Sequence, residues 1–428
     1  MKSLHSVWLG TLVVLFFHNT TRADWPRWRG PDDSGSIRAG NYPSELNAAA
    51  AVWSAELPGK GCSTPIVWKN QILVTAPVAG NDALLSFDRS GKQQWQATFE
   101  KETAGKHRNG SGCNASPATD GSGVFVYFKS GMLAAVNLDG TRRWQTDLVQ
   151  RFGPDDRYWD HGTSPVLTKQ HVIMARMHAG DSWLAAFDKE SGELAWKVAR
   201  NYTVPRESDQ CYTTPIVMQH DGREVVLVWG AEHLTMHDAS NGKVVWSCGG
   251  FNPEGNKLWP AIANPVIVDD MAVICFGRND RGIPRLFGIR LTGNGDVTDT
   301  NHVWMRDDIS SFVPSPVAYQ GRVYLVRDKG EVECIDPETG DTVWSDRFPK
   351  NRAAFYASPL IASDLLYAPR EDGVVFVADI ADGQFQLVSE NDFSQPVIGS
   401  PVPDGNRILI RGEKKLFCLS ATESGSRE

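Results

Sequence analysis

Eight prolines recur along this chain at a nearly even stride, each preceded by a small or polar residue and followed by an aliphatic or small one. They are Pro65, Pro117, Pro165, Pro215, Pro265, Pro316, Pro359 and Pro401, spaced by 52, 48, 50, 50, 51, 43 and 42 residues. A period near fifty residues is the signature of an array of copied supersecondary units, each of which buries its apolar face only against its neighbours. At 428 residues, length alone would suggest two or three domains. The unbroken repeat instead favours one ring, with an axis, a channel and two faces.

Each copy reads as four short β-rich runs. In the sixth, SPVAY begins at Ser315, RVYLV at Arg322, EVECI at Glu331 and DTVWS at Asp341. Proline is tolerated at the first position of a strand, where it need not donate to the ladder. Between the third and fourth runs lies an Asp-x-x-x-Gly turn, as at Asp188–Gly192, Asp238–Gly242 and Asp336–Gly340, shortened in the first two copies to Asp88–Gly91 and Asn137–Gly140. The Asp side chain closes such a turn and the Gly takes its positive φ. The fourth run carries Trp95, Trp144, Trp196, Trp246, Trp304 or Trp344 in copies one to six, and Phe385 and Leu387 in copy seven. These aromatic residues read as packing between units.

The eighth copy ends at Leu416–Ala421 without a fourth run, while AAAVWSAEL, with Trp53, stands alone before the first proline. The N-terminal strand is therefore expected to complete the last unit and close the ring, which removes the sheet edges that invite aggregation. The expected fold is all-β: an eight-bladed β-propeller of four-stranded antiparallel blades over residues 48–421, preceded by an extension at 24–47 and followed by a polar tail at 422–428.

LAAFDKESGELAW (Leu184–Trp196) and EVECIDPETGDTVW (Glu331–Trp344) resemble the PQQ-like β-propeller repeat. The match covers nearly all of residues 48–421 and is similar to BamB-like propellers and to the propeller of quinoprotein alcohol dehydrogenases. DWPRWRGP, from Asp24, resembles the mature start of secreted PQQ-like propellers of planctomycete-type bacteria. The resemblance is specific for fold; one fold hosts many activities. It implies either a non-catalytic envelope scaffold or a quinoprotein oxidoreductase holding PQQ and calcium in its axial channel.

Residues 1–23 read as a secretory signal: Lys2, an apolar run from Val7 to Phe17, and Thr21-Arg22-Ala23 before the cleavage point. The run is too short to span a bilayer. The expectation is an exported chain, periplasmic or extracellular, without a transmembrane segment. BamB-like lipoproteins keep a lipid-carrying Cys at this point; here the first Cys is Cys62. The net charge of −8, which becomes −10 once Lys2 and Arg22 are removed, gives no footprint for nucleic acid or an anionic membrane.

Seven cysteines are an odd number for an exported chain. Cys334 and Cys418 occupy matching third-strand positions and read as core thiols. Cys62 and Cys113 lie at the entrances of neighbouring blades, and a disulfide between them requires Cα atoms within about 7 Å. No adjacent Cys-Cys pair and no haem-attachment Cys-x-x-Cys-His occurs; the alcohol-type quinoproteins commonly carry the former beside their cofactor. No Gly-x-Ser-x-Gly elbow and no P-loop is present.

The loops between blades are long, 22, 21, 19 and 19 residues from closing Trp to next proline after blades one to four. They emerge on one face, where binding residues concentrate. They carry His107 and Arg108; Arg157, Trp159, Asp160 and His161; Arg206 and Asp209; and Trp259. Arg108, Arg157 and Arg206 together would suit a carboxylate or phosphate, with Trp159 and Trp259 as a stacking wall. Asp160-His161 would suit a general-base pair, although adjacent residues usually point apart, and an ion-pair network that orders the loops explains the same residues. His107, His161 and Asp160 have no recognised metal-ligand spacing, and Gly293–Asn301 reads as an ordinary loop. No catalytic residue, metal or cofactor is assigned. The favoured reading is a monomeric scaffold presenting the loop-rich face to an envelope protein or polymer. A small-ligand or carbohydrate-binding propeller and a PQQ- and calcium-dependent oxidoreductase stand as alternatives.

Overall fold

A computed structural model describes residues 24–421; the segment expected to be a secretory signal (1–23) and the polar tail (422–428) lie outside the described residues. The strands form eight sheets, one per expected blade. Blade one runs Ile66–Trp68, Gln71–Thr75, Asn81–Asp88 and Gln93–Lys101, all antiparallel. The N-terminal strand Trp53–Glu56 pairs with Lys415–Ser420, in the register Trp53 to Cys418. It supplies the missing fourth strand of blade eight, so the ring closes as expected. Middle strands are buried on both faces, as in Met132–Val136 and Val374–Asp379, because each blade packs against two neighbours.

The residue before each blade proline explains the motif. Thr64, Ser116, Ser164, Thr214, Asn264 and Ser315 each donate a backbone N–H to the side-chain oxygen of the corresponding residue one blade on, at 2.8–3.0 Å. Ser400 returns the chain of bonds to Thr64 at 3.1 Å. Proline at the next position fixes the strand start. Ser, Thr and Asn are the short side chains that satisfy a neighbour's N–H from there.

The outer-strand tryptophans are a second inter-blade device. Trp53, Trp95, Trp144, Trp196 and Trp304 donate their indole N–H to a turn carbonyl of the next blade: Arg89, Leu138, Lys189, Ala239 and Pro337 respectively. The ring then covers that turn's glycine. At Gly192 (φ +73°) a Cβ would come within 2.5 Å of the Trp144 indole, so the position needs Gly for space as well as for its backbone.

Blade five departs from the pattern. Its third-to-fourth connection is not the ordinary loop expected at Gly293–Asn301. Gly295–Asp296 adds as a fifth, parallel strand to the outer edge of blade four, opposite Trp246 and Ser247, and a helical turn follows at Thr298–Asn301. This covers Trp246 completely.

The extension at 24–47 threads into the ring on the face opposite the long loops. Trp25 bridges Val67 of blade one, and the Pro26 carbonyl accepts from Thr119 of blade two. Four to twelve residues later the chain is across the axis. Arg29 is buried against the carbonyls of Pro316, Pro359 and Ser34, the last two at 3.0 and 3.3 Å, and burial pulls its guanidinium down to about 10. Ser36–Ile37 then pairs in parallel with Ile361–Ala362 on the inner edge of blade seven. The extension is a strap that fills part of the channel.

Candidate functional site

The loop-rich face is organised by buried polar contacts. The loop entering blade two crosses the channel mouth. Arg108 reaches Glu371 of blade seven at 2.9 Å, Asn109 donates to the same carboxylate at 2.6 Å, and Ala354 N–H completes it at 2.9 Å. Blades two and seven are three places apart around the ring, so this contact requires the loop to run over the axis. The Lys60 ammonium donates to the Arg108 carbonyl, and the Cys62 thiol lies 3.1 Å from the Asn109 carbonyl.

Asp160 anchors that loop. Its carboxylate accepts from the N–H groups of Lys106 (2.7 Å) and His107 (2.8 Å) and from the Lys129 ammonium (2.5 Å). Burial alone would raise its pKa, but these donors hold it below the usual carboxylate range. His161 faces elsewhere, against the Tyr127 ring at 4.5 Å and the Arg157 guanidinium. Burial and Arg157 push its pKa well below the ordinary value. With Nδ1 accepting from Arg157, the proton sits on Nε2, which has no hydrogen-bond partner among the described residues. Asp160-His161 is therefore no general-base pair.

The three arginines do not converge. Arg108 is committed to Glu371. Arg157 is buried against Asp155, with Nε at 2.9 Å, and against the Cys211 carbonyl at 3.1 Å. Arg206 is exposed; its backbone carbonyl accepts from Leu258, and its guanidinium makes no ion pair among the described residues. Trp259 is 1% exposed, packed at 5.4 Å on Phe276; it belongs to the core and offers no stacking wall. Asp209 is half-buried, and burial raises its carboxyl. Cys62 and Cys113 are both free thiols. Their backbones touch, with Cys62 N–H 3.2 Å from the Cys113 carbonyl, but the Cys113 thiol faces Asp82 at 4.0 Å.

What the loops do bring together is an aromatic cluster. His107 meets Trp159 edge-on at 5.4 Å and Tyr356 at 5.9 Å, and Trp159 meets Tyr158 at 4.7 Å. Tyr158 and Trp159 remain 58% and 43% exposed. Their backbone is fixed nonetheless, by Tyr158 N–H to Gln210 Oε1 (3.0 Å) and Trp159 N–H to the Tyr212 hydroxyl (3.1 Å). Glu371, Tyr356, Lys129 and Tyr212 were missing from the residues singled out in the sequence. Glu371 and Lys129 lie in second-to-third-strand turns of that same face, the signal that pointed to them.

Asp82 lies under the crossing loop, fully buried, accepting from Ser130 Oγ at 2.6 Å. Burial pushes its carboxyl up to about 7. The folded chain thus keeps a proton that the unfolded chain releases near pH 4, so stability falls as pH rises from about 4 to about 7. Asp82→Asn should raise the thermal midpoint at pH 8 and leave it nearly unchanged at about pH 3.5, below the unfolded carboxyl's range. Calorimetric scans at both values check this, and an equal shift at both would count against it.

The carboxylates at the mouth do not fit a calcium ion, which takes six to eight oxygen ligands. Glu371 and Asp160 are filled by protein donors, as is Asp328 by the N–H groups of Phe312 and Val313 and by Asn279.

A family model described as outer membrane protein assembly factor BamB matches residues 44–156, 90–346 and 310–392. The chain belongs to this family. A BamB of Yersinia pestis is 22% identical over 337 residues, 75% of each chain. That of Escherichia coli K12 is 25% identical over 193 residues, 44% of this chain and 43% of the relative. The structure of BamB from Moraxella catarrhalis superposes with a TM-score of 0.62 at 16% identity, covering 89% of this chain and 99% of that one. A europium-containing methanol dehydrogenase gives 0.66 at 10% identity, covering 91% and 89%. These two likenesses concern the fold alone. No helix of this BamB-family propeller, among the described residues, is long and apolar enough to cross a membrane.

Proposed function

We propose that this chain is an exported, non-catalytic scaffold that docks an envelope protein on its loop-rich face and serves the assembly of outer membrane proteins, the role in its relatives' name. The observation that carries this is the pair Tyr158 and Trp159: large, exposed aromatic side chains on a backbone already held in place. Such residues dominate binding energy at protein interfaces, because they bury much area for little entropy. Arg108, half of an ion pair and still well exposed, lies beside them. The reading needs no PQQ and no calcium, and the saturated carboxylates support that.

Replacing Trp159 with a photo-crosslinking benzoylphenylalanine should give one discrete envelope adduct, absent when the same residue replaces Val343 on the outer rim of blade six. No adduct, or the same adduct from both, would count against the loop face. Calorimetric titration with PQQ, with and without calcium, should give no binding heat; micromolar calcium-dependent binding would return the oxidoreductase reading.

A further inference from the structure

The strap's bonds follow a rule. In blades one, two, six and seven the residue two places after the blade proline turns its backbone toward the channel: Val67, Thr119, Ala318 and Ile361. Each N–H is taken by a strap carbonyl, those of Trp25, Pro26, Ser34 and Gly35 respectively. In blade eight the same position is Pro403, which has no N–H to satisfy. In blade five it is Ile267. Its neighbours Val266 and Val268 face Val273 and Met271, closing the same two-residue hairpin as in blades one, six and seven. Ile267 therefore directs its N–H and C=O inward, and no strap residue reaches them; the same holds at Leu167 of blade three and Val217 of blade four, but of the three it is Ile267 that lines the cleft beside the strap.

Ile267 lines a cleft of about 1310 Å³ between blade five and the strap. Trp25, which also lines it, is 2% exposed, and its indole N–H has no partner among the described residues. Asp24, Asp32 and Asp269 line the cleft as well, and Asp32 and Asp269 make no ion pair among the described residues. Asp404 is held by Arg89, and Arg407 is turned to the Arg89 carbonyl. Arg38 and Arg407 are the cations of the lining, against Asp24, Asp32, Asp269 and the Arg89-paired Asp404. The cleft thus combines an open strand edge with a small acidic excess.

We infer that this cleft accepts an extended polypeptide segment bearing basic side chains, which adds as a strand to the inner edge of blade five at Ile267, as the chain's own Ser36–Ile37 adds to blade seven. Main-chain bonds to an unpaired edge supply affinity in such additions, and side-chain pockets supply selectivity. The buried faces of Trp25, Tyr42 and Tyr319 leave no stacking platform for a sugar, which favours peptide over carbohydrate. The site lies on the face opposite Tyr158 and Trp159, so it stands or falls independently of the loop-face docking.

The test is fluorescence anisotropy of residues 24–428 with a fluorescein-labelled Lys-Val octapeptide. Binding in the micromolar range is expected, at least tenfold weaker for the same peptide N-methylated at alternate residues and for a Glu-Val octapeptide. Ile267→Pro removes the inward donor at a position where blade eight already carries proline, and should weaken binding at least tenfold with an unchanged circular dichroism melt. Should that variant misfold, Asp32→Asn with Asp269→Asn gives the second arm: weaker binding with a shallower salt dependence. No binding by the unaltered chain, equal binding of the N-methylated or Glu-Val peptide, or a folded Ile267→Pro that binds as tightly, overturns the inference.

Discussion

Removing residues 24–37 should destabilise the ring by about 5 kcal/mol or more, seen as a fall of about 5 °C or more in the calorimetric midpoint. A chain of this size shifts by little more than a degree per kcal/mol. The loss has two sources. Deleting a buried tryptophan such as Trp25 (2% exposed) costs about 3–5 kcal/mol. The strap's bonds to Val67, Thr119, Ala318 and Ile361, and the Arg29 bonds to Pro359 and Ser34, add about 1 kcal/mol each less what water recovers. Arg29→Ala alone should cost a smaller part. A truncated chain that melts with the full one would show that the extension is merely attached.

Asp155→Asn should cost about 3 kcal/mol or more, because it leaves the Arg157 guanidinium, 1% exposed, buried without its counter-charge. Burial would raise the Asp155 carboxyl, but Arg157 overrides it and holds it well below the usual range. With a depressed folded pKa, the contribution is complete above about pH 4 and is lost as pH falls below that. The variant should therefore converge on the unaltered chain in acid. Asp156→Asn, one residue on, is the control. Its carboxylate is 62% exposed and, among the described residues, its one ion-pair partner is His178 at 4.0 Å, so no change is expected. Hydrogen exchange over residues 153–163 should rise in Asp155→Asn alone, and crosslinking through Trp159 should weaken with it. A stable variant that keeps its adduct would separate the loop's order from its docking.

Blade number, strand positions and the closing role of Trp53–Glu56 were legible because each rests on a local pattern. Alternation, the Asp-x-x-x-Gly turn and the proline phrase act within one unit and repeat. One signal in plain view was underused. All eight residues before the blade prolines are Ser, Thr or Asn, and that restriction reflects the seven side-chain bonds that link these positions around the axis. Trp259 misled because loop position suggested exposure, while the blade-five wall around Phe276 was ready to enclose it. Gly293–Asn301 misled because its composition is that of a loop, and only a neighbouring edge beside it made Gly295–Asp296 a strand.

By itself, the sequence determined that this chain closes into eight blades with a loop-rich face, since periodic hydrogen bonding and side-chain alternation need only nearby residues. Which loop residues meet was decided by the tertiary structure. Arg108 and Glu371 are 263 positions apart, and Arg29 and Pro359 are 330 apart. Nothing local couples such pairs. Ring closure brings blade two within reach of blade seven and lays the strap across the axis, and burial in that shared interior then selects the charge partners, sealing the strand edges the strap reaches and leaving others, Ile267's among them, open.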